Sequence, residues 1–162
     1  SFARGITWSE NSGRSTIWLA ERVGSLLSIE HDEKWSGRVE AMIAREGLQD
    51  KVQYIRKPLN EAYEDAVRTI LDKSLDFALV DGRRRLFCTK AVIPKIKAGG
   101  ILILDNAERY IANRTMCFHS TAICQRDEND PEWNSVLLEL AKWRAILTTN
   151  GIWDTRIWVR PG

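Results

Sequence analysis

The chain has 162 residues with a formal net charge of +2, a length that suits one domain with a sizeable core and a balance that gives no global argument for a nucleic-acid or membrane partner. Cys88, Cys117 and Cys124 are odd in number and lack the paired spacing of a zinc site, which fits a reduced, cytoplasmic compartment better than a disulfide framework. No run approaches the length of a membrane span and the first residues carry no signal-peptide pattern, so a soluble single domain over residues 1–162 is expected.

Residues 6–8 are a brief strand candidate, followed by SENSGRST. Asn11, Ser12 and Gly13 can turn tightly, and Ser15 or Thr16 suits the start of a helix through Ile17, Leu19, Ala20 and Val23. A strand, a small-residue turn and a helix start aim backbone N–H groups at a ligand, unless the turn is simply a capped one. SLLSIE (25–30) reads as a second buried strand ending in Glu30, with His31 and Asp32 after it. A helix over 33–46 follows, carrying Trp35, Val39, Met42 and Ile43 on one face and stopping at Gly47. An acidic residue ending such a strand can accept two hydrogen bonds from a ribose diol, or stand as a solvated strand end.

Residues 52–56 alternate as a third strand, and Asn60 caps a helix through Ala62, Ala66, Val67, Ile70 and Leu71. The stretch 75–106 carries the strongest pattern. Its apolar runs, 77–80 and 101–104, suit strands buried on both faces, separated by an amphipathic segment broken by Pro94 and closed by Gly99 and Gly100. If these strands are parallel, Asp81, Asp105 and Asn106 meet at the sheet edge where open α/β folds bind ligands. Arg83, Arg84 and Arg85 form the one dense basic run, read as a solvated helix start or as a contact for an anionic group. Residues 107–129 are polar and weakly patterned, as in a lid, a binding loop or a disordered segment. Pro131 opens a helix with Trp133, Val136, Leu137, Leu140 and Ala141 on one face, and 144–149 and 154–159 read as a hairpin around Asn150 and Gly151. The seven tryptophans are assigned to core and rim packing. The expected fold class is α/β, a doubly wound, mostly parallel seven-stranded-type sheet with a C-terminal antiparallel hairpin and a short first strand.

SGRSTIWLAERV, LLSIEHD, LDFALVDGRRR, GGILILDN and the final TRIWVRP, in that order, resemble the class I S-adenosylmethionine-dependent methyltransferases from about Trp8 to the end of the chain. The resemblance implies S-adenosylmethionine as cofactor and methyl transfer to an oxygen or nitrogen of a small-molecule substrate. It sets Ser12 and Gly13 near the methionine part of the cofactor, Glu30 on the ribose hydroxyls and His31 beside the ribose or adenine. One departure stands out. The family's first turn runs acidic residue, any residue, glycine, any residue, glycine; ending it on Gly13 puts Ser9 at the acidic position and Asn11 at the first glycine.

Asp81, Asp105 and Asn106 offer two carboxylates and an amide oxygen, a donor set suited to Mg²⁺. They resemble the set in metal-dependent, catechol-type O-methyltransferases, where the ion lowers the pKa of a substrate hydroxyl and orients its oxygen. Asp81 is the catalytic residue on that reading. On the alternative, Asp81 faces the cofactor, Asp105 and Asn106 cap the fifth loop, and no metal binds. His119 is either a general base reaching in from the long loop or an exposed loop residue, and no base pairs with the cysteines.

Two rival readings have different predictions. A nicotinamide-dependent oxidoreductase would use Glu30 on its ribose, but the G-x-G-x-x-G turn is absent. A degenerate methyltransferase fold serving as an interaction domain would account for the SENSG turn and the short first strand. Asn11→Gly separates the last case from an active one: a competent site gains affinity for S-adenosylmethionine in a calorimetric titration, and a repurposed domain does not respond.

Overall fold

The apolar runs become strands, and the segments of helical spacing become the crossovers between them. The computed structural model describes residues 3–9, 13–111 and 131–162. The chain order is β1 (Arg4–Ser9), α1 (Arg14–Ala20), β2 (Ser25–Glu30), α2 (Glu33–Arg45), β3 (Val52–Arg56) and α3 (Glu61–Glu64). It continues through β4 (Leu75–Asp81), α4 (Arg85–Val92), β5 (Ile96–Leu104), α5 (Pro131–Leu140), β6 (Arg144–Thr149) and β7 (Asp154–Val159). These strands form one seven-stranded sheet in the order β3-β2-β1-β4-β5-β7-β6. β1 to β5 pair in parallel, and β7 lies antiparallel between β5 and β6. The expected α/β class, with its terminal antiparallel hairpin, is the one observed.

Alternation along the strands feeds two cores. Ile6, Trp8, Ile29, Ala78, Val80, Leu102, Leu104 and Trp158 pack on one face with Tyr63 of α3, Cys88 and Val92 of α4, and Trp133, Val136 and Leu140 of α5. Leu26 and Val52 pack with Ala20 of α1 and Val39 and Ile43 of α2 in the other core. The tryptophans divide between core and rim: Trp8, Trp133, Trp143 and Trp158 are buried, whereas Trp18 is exposed beneath the Arg22 guanidinium. Among the described residues no helix is long and apolar enough to cross a membrane.

Five elements differ in extent from their sequence signals, β4 by running from Leu75 to Asp81, past residues 77–80 at both ends. β1 runs past residues 6–8 at both ends because it is paired on both sides, from Arg4 with Ser25 to Ser9 with Asp81. α1 begins at Arg14, behind Gly13, and ends at Ala20 before Val23. Thr16 does not cap it, since its hydroxyl lies 2.8 Å from Ser28 Oγ on β2 and hydrogen-bonds there. α3 is a single turn continued by a 3₁₀ turn, Asp65–Val67, so the helix does not reach Leu71, which is exposed. β5 begins at Ile96 and takes Gly99 and Gly100 into the strand, where its register with β4 shifts between Leu75 and Phe77.

Gly13 sits at φ +52°, and a Cβ there would lie 2.6 Å from Val39 Cγ2 on α2. Gly13→Ala should therefore lower stability by roughly 1–3 kcal/mol, through strained backbone and crowding. Gly37→Ala meets open space inside α2 and should raise stability by up to about 1 kcal/mol. Urea midpoints of the two variants check both signs.

Candidate functional site

The parallel strands bring their carboxyl ends to one edge, in the order Arg56, Glu30, Ser9 and Asp81, with Asp105 just beyond the end of β5. The strand order reverses between β1 and β4, and a crevice at such a reversal is the usual ligand position in open α/β sheets.

Glu30 ends β2 and is 1% exposed. The chain bends after it so that two N–H groups point back: His31 N donates to Oε1 at 2.7 Å and Asp32 N at 3.0 Å. His31 Nδ1 also lies 3.0 Å from Oε1, without the alignment of a hydrogen bond. Oε2 is buried and has no hydrogen-bond partner among the described residues. A buried carboxylate oxygen left bare is costly and uncommon. The residues around it follow from the same bend. Asp32 caps α2 by accepting from Trp35 N at 2.9 Å, and the His31 ring meets the Tyr63 ring edge-on at 6.1 Å. Burial first, and the neighbouring Glu30 carboxylate second, hold the Tyr54 phenol well above its usual range.

Gly13 stands at the start of α1, with its carbonyl accepting from Ile17 N. Ser12 and Asn11, together with His119, Cys117, Cys124 and residues 112–129 of the long loop, lie outside the described residues.

Asp81 ends β4, and a β4–β5 pairing sets Val80 beside Leu104, so Asp81, Asp105 and Asn106 do come together. What joins them is Arg85. Its Nη2 lies 3.4 Å from Asp81 Oδ1 and its two terminal nitrogens each lie 3.3 Å from Asn106 Oδ1. Nη1 also donates to the Asp105 carbonyl, and Nε to the Gly82 carbonyl at 2.8 Å. The Asp105 carboxylate turns to β7, where Thr155 Oγ1 donates to its Oδ1 at 2.7 Å. As arranged, these oxygens do not fit the expected Mg²⁺, because a guanidinium already spans the Asp81 and Asn106 side-chain oxygens and the Asp105 carboxylate is turned to Thr155. Among the described residues no group of three or more His, Cys, Asp or Glu side chains could hold a metal ion. The basic run also divides: Arg84 makes a two-pronged pair with Glu64, at 2.7 and 2.6 Å, and Arg85 is buried. Cys88 is buried, and burial pushes its thiol up, away from the thiolate a nucleophile needs.

The sequence marks Arg85 only as one of a basic run, a solvated helix start or a contact for an anionic group, and does not single out Tyr63 or Thr155 for this site. Only the Asp81–Arg85 spacing of four was a readable signal; Thr155 is 50 residues from Asp105. A cavity of about 220 Å³ opens beside Asp105, Asn106, Thr155 and Trp153. A larger one, about 750 Å³, lies between β2–β3 and the Asp65–Val67 turn, lined by Leu27, Ile55 and Ala66 and reaching Arg56 and Lys57. The smaller cavity adjoins the polar groups around Asp105 and Asn106.

A doubly wound sheet with a buried carboxylate after its second strand and an antiparallel seventh strand defines the class. The chain belongs to the methyltransferase-domain family, whose model matches residues 10–107. No curated protein matches it significantly by sequence. Among solved structures it resembles a candidate caffeoyl-CoA O-methyltransferase of Staphylococcus aureus, with a TM-score of 0.72 and 16% identity over 98% of this chain and 76% of that one. It also resembles an O-methyltransferase of Bacillus cereus in complex with SAH (TM-score 0.71, 17% identity, 98% and 74% covered). A third is TomG of Streptomyces achromogenes, an O-methyltransferase of tomaymycin synthesis in complex with SAM (TM-score 0.70, 16% identity, 99% and 74% covered).

The bond from Trp35 N holds the Asp32 carboxyl below its ordinary 3.8. A depressed folded value contributes stability that is present above the ordinary value and lost as pH falls through the folded one. Asp32→Ala should therefore be less stable than wild type at pH 7, with the gap narrowing below pH 3.8. Urea unfolding across that range measures it.

Proposed function

We propose that this protein binds S-adenosylmethionine across the ends of β1 and β2 and transfers its methyl group to an oxygen or nitrogen of a small-molecule acceptor. The observation that carries the reading is the bare Oε2 of Glu30. With Oε1 engaged by two N–H groups, the carboxylate is held with Oε2 as its free acceptor, and a ribose hydroxyl would restore the hydrogen bond that burial has taken away. His31 suits the ribose or adenine beside it. Gly13, with Ser12 before it, suits the methionine part, because left-handed backbone offers main chain rather than a side chain at the turn. Asp81 is in register with Ser9 and so flanks the same turn from the β4 side.

When bound, the cofactor supplies an electrophilic methyl group on a positively charged sulfur. The chain has to hold the acceptor in line with that bond and keep water away, and positioning alone is a large part of such a rate. The cavity beside Asp105, Asn106 and Trp153 is the space assigned here to the acceptor. Mg²⁺ is not part of this reading, since Arg85 takes the Asp81 and Asn106 oxygens and Thr155 the Asp105 carboxylate that it would need.

Calorimetric titration of the full chain with S-adenosylmethionine and S-adenosylhomocysteine tests the proposal. Binding at micromolar strength, about 8 kcal/mol, is expected. Glu30→Gln should weaken it roughly ten- to a hundredfold, the size of one charge-assisted hydrogen bond. A folded wild-type chain that binds neither compound overturns the reading.

A further inference from the structure

We infer that Arg85 is the resident cation of the β4–β5 strand ends, holding the Asp81 and Asn106 side-chain oxygens while Thr155 holds the Asp105 carboxylate, so that this site works without a bound metal. The consequence for catalysis rests on the methyltransferase reading; the exclusion of metal rests on the geometry alone.

Five oxygens surround the guanidinium. They are the carbonyls of Asp81, Gly82 and Asp105 and the side-chain Oδ1 atoms of Asp81 and Asn106. An arginine has five N–H donors and no acceptor, so the cage matches it in chemical kind and in number. The side chain is 4% exposed, and its guanidinium lies 5.6 Å from the Tyr110 ring centroid. Local structure holds it there. Arg84 takes left-handed backbone, φ 49°, and is itself tied to Glu64, so α4 starts with Arg85 turned inward, four residues after Asp81. Asn106, also left-handed at φ 47°, turns its amide oxygen onto the same group.

A magnesium ion needs near-octahedral oxygens at about 2.0–2.1 Å, and the guanidinium stands between the Asp81 and Asn106 oxygens that would have to converge, with the Asp105 carboxylate turned to Thr155. It also brings a like charge to the place an ion would occupy. Arg85 does not face solvent, so it acts through others: it is a positioning residue that fixes Asp81, 29% exposed on the rim, and the Asn106 amide. A charge of this kind cannot be stripped by a chelator. It is built into the chain.

Mn²⁺ followed by electron paramagnetic resonance on the full-length chain tests the inference, with circular dichroism reporting the fold. Wild type should hold no Mn²⁺ at millimolar concentration. Arg85→Ala should gain one Mn²⁺ site, which a further Asp81→Asn change weakens by at least roughly tenfold. Arg85→Lys should restore exclusion, which a loss of packing alone would not. Wild-type Mn²⁺ binding that Asp81→Asn removes overturns the inference without any Arg85 variant. A folded Arg85→Ala chain that gains no site overturns it as well. Titration with S-adenosylhomocysteine is read separately, so failure of the cofactor reading and failure of the metal reading are distinguishable.

Discussion

Parallel pairing decides where chemistry can occur in this protein. Five neighbouring strands run the same way, so their carboxyl ends share one edge, and each polar group of the site follows one of those ends within a few residues. β1 controls the geometry from the middle. It is hydrogen-bonded on both sides, and its Trp8 Nε1 donates to the Tyr63 carbonyl at 3.0 Å. That one bond ties the central strand to α3, and α3 in turn sets the Tyr63 ring against His31.

Two charged side chains are buried along this edge, and they are satisfied in opposite ways. Glu30 keeps one oxygen occupied by the bend after β2 and one bare. Arg85 has all its donors directed at protein oxygens. An unsatisfied buried group favours a ligand, and a satisfied one favours rigidity. The edge thus divides into a receptive half around β1 and β2 and a self-contained half around β4 and β5. The acceptor cavity proposed here opens beyond the self-contained half, next to the β6–β7 hairpin.

Much of the fold was legible because its strands are short apolar runs with clear ends. The segments 25–30, 52–56, 144–149 and 154–159 begin and end where the letters indicate, and α2 is right to within a residue. Long-range partners overrode local signals elsewhere. Thr16 looked like a helix cap and is instead held by Ser28, and Gly99 and Gly100 looked like a stop and instead lie within β5, at its register shift against β4 and bonded to the backbone of Arg160. At the site, the position of Glu30 at a strand end was readable, but its bare oxygen was not, because it depends on how two following N–H groups turn back. The three arginines were equivalent as letters. Which one turned inward depended on Asn106, twenty-one residues away, and on Glu64, twenty residues before Arg84.

The register of β1 also has a kinetic side. Arg4 N reaches the carboxylate of Asp76, 72 residues along the chain, and every β1–β4 pair spans a comparable loop. Closing such loops costs entropy before any contact repays it, and topologies rich in distant pairs fold slowly for their size. Since both Glu30 and Asp81 flank β1, the receptive edge cannot form in any partly folded chain that lacks this strand. The proposed binding site and the central strand therefore complete together, from pieces made far apart in time during synthesis.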